Sequence, residues 1–400
     1  MITSTMITST IRDHITVLHS DELPAYLYDL SALRKYAAAV RAALPAEVEL
    51  YYAAKANPES GILAALSTVV TGYEVSSGGE LTHVRKAVPG APLAFGGPGK
   101  TSDEITLAVE GGVERIHVES EHELRLLAAR ATRPMDVLLR VNLPLDAGTL
   151  HAVPLAMGGR PTPFGIDPAR IDACLALLAG PECRRLRLRG IHAHLASGLD
   201  AAAQLTVAQR IVDWTMHLAR RHRIRLDEVN VGGGMAVDYA DPAARFDWTA
   251  FGAGLARILD RHPGLRLRIE PGRALTAYCG WYATEVLDVK RSHGEEFAIL
   301  RGGTHHLRTP AARGHDQPFT VLPVDAWPHP WPRPAATADA ITLAGQLCTP
   351  KDILARRVPA PASGLRAGDR VAFAMAGAYA WNISHHSFLM HPRPGTHLLS

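Results

Sequence analysis

The chain is short of cysteine, lysine and aromatic residues, and each shortage narrows what it can be. Four cysteines in 400 residues, Cys174, Cys183, Cys279 and Cys348, show no CxxC spacing. Neither a disulfide framework nor a structural zinc site is therefore indicated, and thiols are left for chemistry. No uninterrupted apolar run approaches the roughly 18 residues of a membrane span. The opening MITSTMITST has no charged segment followed by an apolar one. The expectation is a soluble, cytoplasmic protein without a membrane partner. Only six lysines are present, and the 42 basic residues, mostly arginine, are dispersed among 39 acidic ones for a net charge of +3. Without a basic block, nucleic acid is not expected as a partner. The duplicated MITST leaves Met1 and Met6 as rival starts and is set aside from the fold.

What is present is apolar material for more than one core: 47% of the residues are hydrophobic in a chain longer than a single core usually serves. Short apolar runs recur with Ala/Leu/Arg-rich helical stretches between them: VELYYAAKA, TGYEVSS, APLAFGG, RIHVES, DVLLRVN, LRLRGIHAHL, EVNVGGG and LRLRIEPG. Eight such units predict a (β/α)8 TIM-like barrel, placed at residues 30–275. Beyond it, YCGWYATEVLDVKR, EFAILRGG, QPFTVLP, DAITLAGQLC and DRVAFAMAGAY read as strands of a mainly antiparallel β-domain. That domain is assigned residues 276–400 together with 11–29, whose AYLYDL run supplies a strand. PHPWPRPAA reads as an extended surface loop.

In a barrel of this kind, chemistry concentrates at the C-terminal strand ends. YYAAKANP puts Lys55 at one of them. A partly desolvated lysine there can form a Schiff base with a carbonyl, and the plainer alternative is a side chain reaching to solvent. VNVGGGMAVDY places Gly232, Gly233 and Gly234 after a strand, where backbone N–H groups can face a phosphate. RIEPGR places Glu270 and Arg273 at the last strand end, to meet a protonated ring nitrogen and an anion, or simply each other.

In this order and at these positions, the three segments resemble the fold-type III pyridoxal-phosphate enzymes, the alanine racemase-like family that includes diaminopimelate, ornithine and arginine decarboxylases. The resemblance runs from AYLYDL to the C-terminus. It implies pyridoxal 5'-phosphate as cofactor, Lys55 as its covalent anchor, Gly232 to Gly234 as phosphate loop, Glu270 as partner of the pyridine nitrogen and Arg273 as an aid at the phosphate. HAHLASG matches the family segment in which His194 stacks on the ring and Ser197 binds the phosphate. Arg140 in LLRVN matches an arginine near the ring, Glu74 a usually acidic position, and Tyr379 in AGAY a tyrosine near the phosphate. An HxH metal pair formed by His192 and His194 is the other reading of that segment, and it leaves Lys55, the glycines and EPGR unexplained.

A glutamate at position 270 favours decarboxylation over racemisation, because racemases of this fold place an arginine there and weaken the electron sink. AGQLCTPKDIL resembles the decarboxylase loop with Cys348 followed by Asp352. The resemblance implies a homodimer with shared active sites, in which Cys348 enters the partner's site and reprotonates the substrate carbon. A thiol, with its ordinary pKa of about 8.5, holds its proton near neutrality. Thr349 stands where diaminopimelate and ornithine decarboxylases carry an acidic residue for a distal ammonium. Nearby lie donors and cations: His305, His306 and Arg308 in GGTHHLRTP, and Asn382, Ser384, His385 and His386 in WNISHHSFLMHPRP. Together with Thr349 and Asp352 they predict a substrate pocket for a small anionic amino acid. These segments are similar to the siderophore-biosynthesis branch of the family, whose members decarboxylate a citryl-diaminopropionate intermediate. A diaminopimelate, ornithine or arginine decarboxylase, an amino-acid racemase, a pyridoxal-phosphate carrier and a metal-dependent barrel hydrolase are the alternatives.

Overall fold

The computed structural model describes residues 7–145, 155–362 and 364–400. The chain enters with a helix, Ser9–Val17, followed by β1 (Ala25–Asp29). Eight strands then close a parallel barrel: β2 (Val48–Ala53), β3 (Gly72–Val75), β4 (Leu93–Phe95), β5 (Arg115–Val118), β6 (Met135–Arg140), β8 (Leu186–His192), β10 (Glu228–Asn230) and β11 (Arg266–Ile269). Two short strands, β7 (Leu155–Ala156) and β9 (Ala196–Ser197), pair beside it. The eight barrel strands fall in the eight apolar runs seen in the sequence. Both their faces are covered, so they read as continuous hydrophobic segments rather than as alternations.

Local sequence explains why helices follow the strands. Ser77, Thr101, Ser120, Asp200 and Asp247 each stand just before a helix and accept a hydrogen bond from the third helical N–H. Each thus satisfies a donor that the helix itself leaves orphaned. Charge fills the barrel at the strand starts. Arg268, fully buried, lies 2.6 Å from Glu49 and 3.3 Å from Glu228, and Arg115 Nε is 2.8 Å from Glu228. Two guanidinium groups shared among these carboxylates leave none of the charges unpaired.

The chain forms two compact units: Arg34–Val237 with Phe246–Leu275, and Met1–Leu33 with Asp238–Arg245 and Thr276–Ser400. The second is built on a sheet in which β14 (Phe319–Leu322), β17 (Arg370–Phe373), β12 (Gly280–Ser292), β13 (Glu295–Leu300), β15 (Ala340–Ala344) and β16 (Ile353–Pro359) are neighbours in that order. β1 joins β12 antiparallel and β18 (Gly395–Leu399) parallel. Its core stacks Tyr26, Tyr282, Phe373 and Phe319, with successive ring centroids 5.2, 6.2 and 5.9 Å apart.

Three elements depart from the sequence reading. The duplicated opening carries no element in that reading, yet the first helix starts at Ser9 inside it. Thr8 caps that helix, and Ile11 and Ile15 form a fully buried stripe. β16 is masked in sequence by Arg356 and Arg357, and β18 by its position at the extreme C-terminus.

Candidate active site

β2 runs into a short 3-10 turn, Ala54–Ala56, that carries Lys55 past the strand end. β3 is in register with it, Ala53 opposite Glu74, so the two side chains meet: Lys55 Nζ lies 2.5 Å from Glu74 Oε2. Ser76 donates to the other oxygen at 2.9 Å. The lysine side chain is 45% exposed and the glutamate 5%, leaving the amine reachable from solvent while its partner is buried. Burial pushes the Glu74 carboxyl upward, but Lys55, the Ser76 hydroxyl and Arg140 outweigh it, and the net shift is downward.

Glu270 follows β11 and is buried among polar groups from several strands. Asn230 Nδ2 donates to its Oε1 at 2.6 Å. His117 Nε2 lies 3.8 Å from Oε1, and His192 Nε2 3.7 Å from Oε2. Burial, seconded by the Glu74 charge, raises the Glu270 carboxyl to about 7, against the Asn230 hydrogen bond, Lys55 and Arg268. Burial and surrounding positive charge hold His117 and His192 well below the ordinary imidazole range, so both rings are neutral. The His192 ring nitrogens have no hydrogen bond among the described residues.

The glycine turn is held from inside. Gly232 (φ +72°) and Gly234 (φ +95°) occupy left-handed backbone. A Cβ at Gly232 would stand 2.6 Å from His194 Nδ1, and one at Gly234 2.2 Å from the Ala196 carbonyl. Gly232 N–H donates to Asn230 Oδ1 (2.9 Å) and Gly233 N–H to His194 Nδ1 (3.2 Å). Two of the three N–H groups expected to face a phosphate are therefore engaged within the chain. Ser197 Oγ is 3.4 Å from His194 Nε2, and burial with Arg140 and Lys55 lowers the His194 ring to about 3. β8 ends at His192, so the HxH residues do not share a face: His192 turns to His117 and Glu270, His194 to the glycines. A metal bridging His117, His192 and Glu270 would need lone pairs where the Asn230 amide nitrogen presents protons, 2.6 Å from Glu270 Oε1 and 3.4 Å from His117 Nε2.

Arg140, at the end of β6, donates to Glu119 Oε1 at 2.8 Å and lies over the Phe164 ring at 4.9 Å. Glu119 Oε2 in turn accepts from Gly165 N–H at 2.8 Å. Arg273 opens a four-residue helix after Pro271 and Gly272.

The remaining candidates lie in the β-rich unit. Cys348 is an exposed free thiol in the turn between β15 and β16. Asp352, buried in the same turn, accepts from Thr304 N–H (2.6 Å) and Leu347 N–H (2.9 Å). It ties the cysteine's turn to the one that carries His305 and His306. Thr349 Oγ1 accepts from Lys351 N–H. His306 meets the Tyr282 hydroxyl at 3.1 Å and the Pro392 carbonyl at 3.0 Å. The His305 ring lies 3.9 Å from that of His306, 5.0 Å from His391 and 6.4 Å from His385. Burial lowers His305 to about 3 and His306 to about 4, which makes them neutral donors rather than cations. Arg308 N–H donates to Ser384 Oγ. His386 stacks on Trp381, next to Asn382. Tyr379 holds positive φ while its carbonyl accepts from the Thr309 hydroxyl. Sequence reasoning missed Ser76, His117, Glu119 and Asn230. The available signal was a polar residue inside an apolar strand or at its end, as in RIHV and EVN.

The donor set fits pyridoxal phosphate: a reachable amine for its aldehyde, a buried carboxylate for its ring nitrogen, neutral imidazoles around them and a glycine turn free of side chains. Barrel and site together define an enzyme of the pyridoxal-phosphate barrel class. More narrowly, the chain belongs to the pyridoxal-dependent decarboxylases: residues 30–277 match that family's pyridoxal binding domain. It is 40% identical over 378 residues to a 2-[(L-alanin-3-ylcarbamoyl)methyl]-2-hydroxybutanedioate decarboxylase of Staphylococcus aureus, covering 92% of each chain. It is 30% identical to an L-glutamyl-[BtrI acyl-carrier protein] decarboxylase of Niallia circulans, covering 93% of this chain and 88% of that one. Helicobacter pylori diaminopimelate decarboxylase, solved with L-lysine, shares the fold at a TM-score of 0.83 and 23% identity over 97% of this chain and 94% of that one. The protein is thus a pyridoxal-phosphate-dependent carboxy-lyase.

Proposed function

We propose that this enzyme decarboxylates a citryl-diaminopropionate-type amino acid, 2-[(L-alanin-3-ylcarbamoyl)methyl]-2-hydroxybutanedioate or a close analogue, in the biosynthesis of a citrate-type siderophore. The observation that carries the reading is the 40% identity, over 92% of both chains, to a decarboxylase of that compound. Thr349 agrees with it. A neutral residue after Cys348 gives no counter-charge to a distal ammonium, and a carboxylate-bearing side chain needs none.

The chemistry that pyridoxal phosphate supplies when bound is withdrawal of the electron pair left on Cα as CO₂ departs. Lys55 Nζ is the amine that would hold its aldehyde, with the Glu74 carboxylate keeping that nitrogen's protons oriented. Glu270 would partner the ring nitrogen and His194 the ring face. Arg140 would stand near the ring, and Ser197, the Gly232–Gly234 turn, Arg273 and Tyr379 would hold the phosphate side. Cys348 Sγ, brought from the partner subunit of a homodimer, would place a proton on Cα. His305, Arg308, Asn382, His385 and His386, with His306, Thr349 and Asp352 shaping their turns, would receive the distal carboxylates and hydroxyl. The site would operate in the cytoplasm.

The test is CO₂ release by the purified protein with pyridoxal phosphate and each of four substrates: the citryl compound, diaminopimelate, ornithine and arginine. The expected result is turnover of the citryl compound, with kcat/KM for the others lower by about 10²-fold or more, as lost polar pairing predicts. Preference for a diamine-type substrate overturns the substrate reading. Loss of optical activity without CO₂ overturns decarboxylation itself.

A further inference from the structure

Asn230 has no part in the cofactor chemistry assigned above, yet it is completely buried at the end of β10, within the barrel. Its amide orientation is set by its partners. Oδ1 faces the Gly232 N–H, a donor, and Nδ2 faces Glu270 Oε1, an acceptor, at 2.9 and 2.6 Å. The backbone repeats the link, since Glu270 N–H donates to the Gly232 carbonyl at 2.8 Å. One side chain thus grips the first residue of the glycine turn with one end and the carboxylate for the ring nitrogen with the other.

We infer that Asn230 is a positioning residue that couples the two ends of the cofactor site, fixing Glu270 relative to the glycine turn and favouring its ionised form. The inference rests on the pyridoxal-phosphate reading of that site. Charged and titratable groups face Glu270 from every side: Glu74 on β3, Lys55 after β2, Arg268 on β11, His117 on β5 and His192 on β8. The two imidazoles are neutral, and Glu74 opposes ionisation. Asn230 is the neutral donor that favours the carboxylate, and its amide does so at every pH because it does not titrate.

Two variants separate coupling from bulk. Asn230→Leu keeps the branched shape and the number of non-hydrogen atoms and loses both bonds. Asn230→Asp keeps the shape and the acceptor for Gly232, but it can donate to Glu270 only while it carries a proton. Binding of pyridoxal phosphate to the cofactor-free protein is titrated by absorbance and tryptophan quenching from pH 6 to 8.5, with thermal unfolding of each unloaded protein as the control for folding. Relative to wild type, Asn230→Leu is expected to bind at least tenfold more weakly at both ends of the range. Asn230→Asp is expected to stay near wild type at pH 6 and to fall at least tenfold by pH 8.5. Wild-type affinity in both variants overturns the inference. So does a loss in Asn230→Asp that is the same at every pH, since a merely structural role would give that. If Asn230→Leu does not fold, the pH profile of Asn230→Asp alone decides. Wild-type protein that binds no pyridoxal phosphate overturns the underlying reading of the site instead.

Discussion

Replacing Glu270 with glutamine is expected to stabilise the cofactor-free protein, and to do so only as the pH rises. Burial lifts the Glu270 carboxyl from an ordinary 4.5 to about 7 in the folded chain. Between those values the folded state binds more protons than the unfolded state, so stability falls as pH rises through the window. The full shift is about 2.5 pH units, and at 1.36 kcal/mol per unit the wild-type chain gives up about 3 kcal/mol once the pH exceeds 7. Glutamine has the shape of the protonated acid and never takes on the charge. Urea unfolding of unloaded wild type and Glu270→Gln, followed at pH 5, 7 and 8.5, should therefore give a gap of only about 1 kcal/mol at the acid end. At the alkaline end it should give a gap of about 3 kcal/mol in the variant's favour. A difference that does not change with pH would refute the reasoning, because it would mean that the Glu270 carboxylate is not penalised by its surroundings. The loaded enzyme should reverse the order. A positively charged ring nitrogen repays the buried carboxylate, and Glu270→Gln should lose pyridoxal-phosphate affinity and CO₂ release while gaining stability without the cofactor.

Other outcomes follow from the same geometry. Gly232→Ala puts a methyl 2.6 Å from His194 Nδ1 in a left-handed conformation; at roughly 1–2 kcal/mol for the backbone alone, pyridoxal-phosphate affinity measured by titration should fall about tenfold or more. Cys348→Ala, at an exposed position, should leave that affinity intact and lower kcat by about 10²–10⁴-fold, the range of a lost general acid; unchanged turnover would remove Cys348 from the mechanism. Asp352→Ala leaves two backbone N–H groups without their acceptor, at about 1–3 kcal/mol each, and should lower the thermal unfolding midpoint while leaving pyridoxal-phosphate affinity at the wild-type value.

The barrel was legible because eight buried strands between capped helices leave eight apolar runs bounded by turn residues, and because Lys55, the glycines and Glu270 are short local motifs. His117 and Asn230 were not, since their importance arises from closure of the sheet. They lie 113 residues apart, and only the pairing of strands around the barrel brings Asn230 Nδ2 to 3.4 Å from His117 Nε2. Asp352 was legible as a motif residue, but its grip on the Thr304 and Leu347 N–H groups depends on two turns meeting in space. The N-terminal helix was hidden for another reason. Its apolar stripe is only Ile11 and Ile15, and that is enough because the Arg370 guanidinium binds the Ile15 and Leu18 carbonyls at its C-terminal end.

The pairing of β1 with β18 has a consequence for how the protein is made. The two strands lie parallel from Ala25 opposite Gly395 to Asp29 opposite Leu399, so one edge of β1 is closed by residues that leave the ribosome long after it does. About 370 residues separate them, and at roughly 5–20 residues per second that is on the order of 20–70 s of synthesis. Throughout that interval the edge of AYLYD that β18 will cover stands unclaimed, even after β12 has paired with the other edge. The nascent chain is then most open to mispairing at its N-terminal strand, and a premature stop just short of Gly395 would leave that edge permanently open.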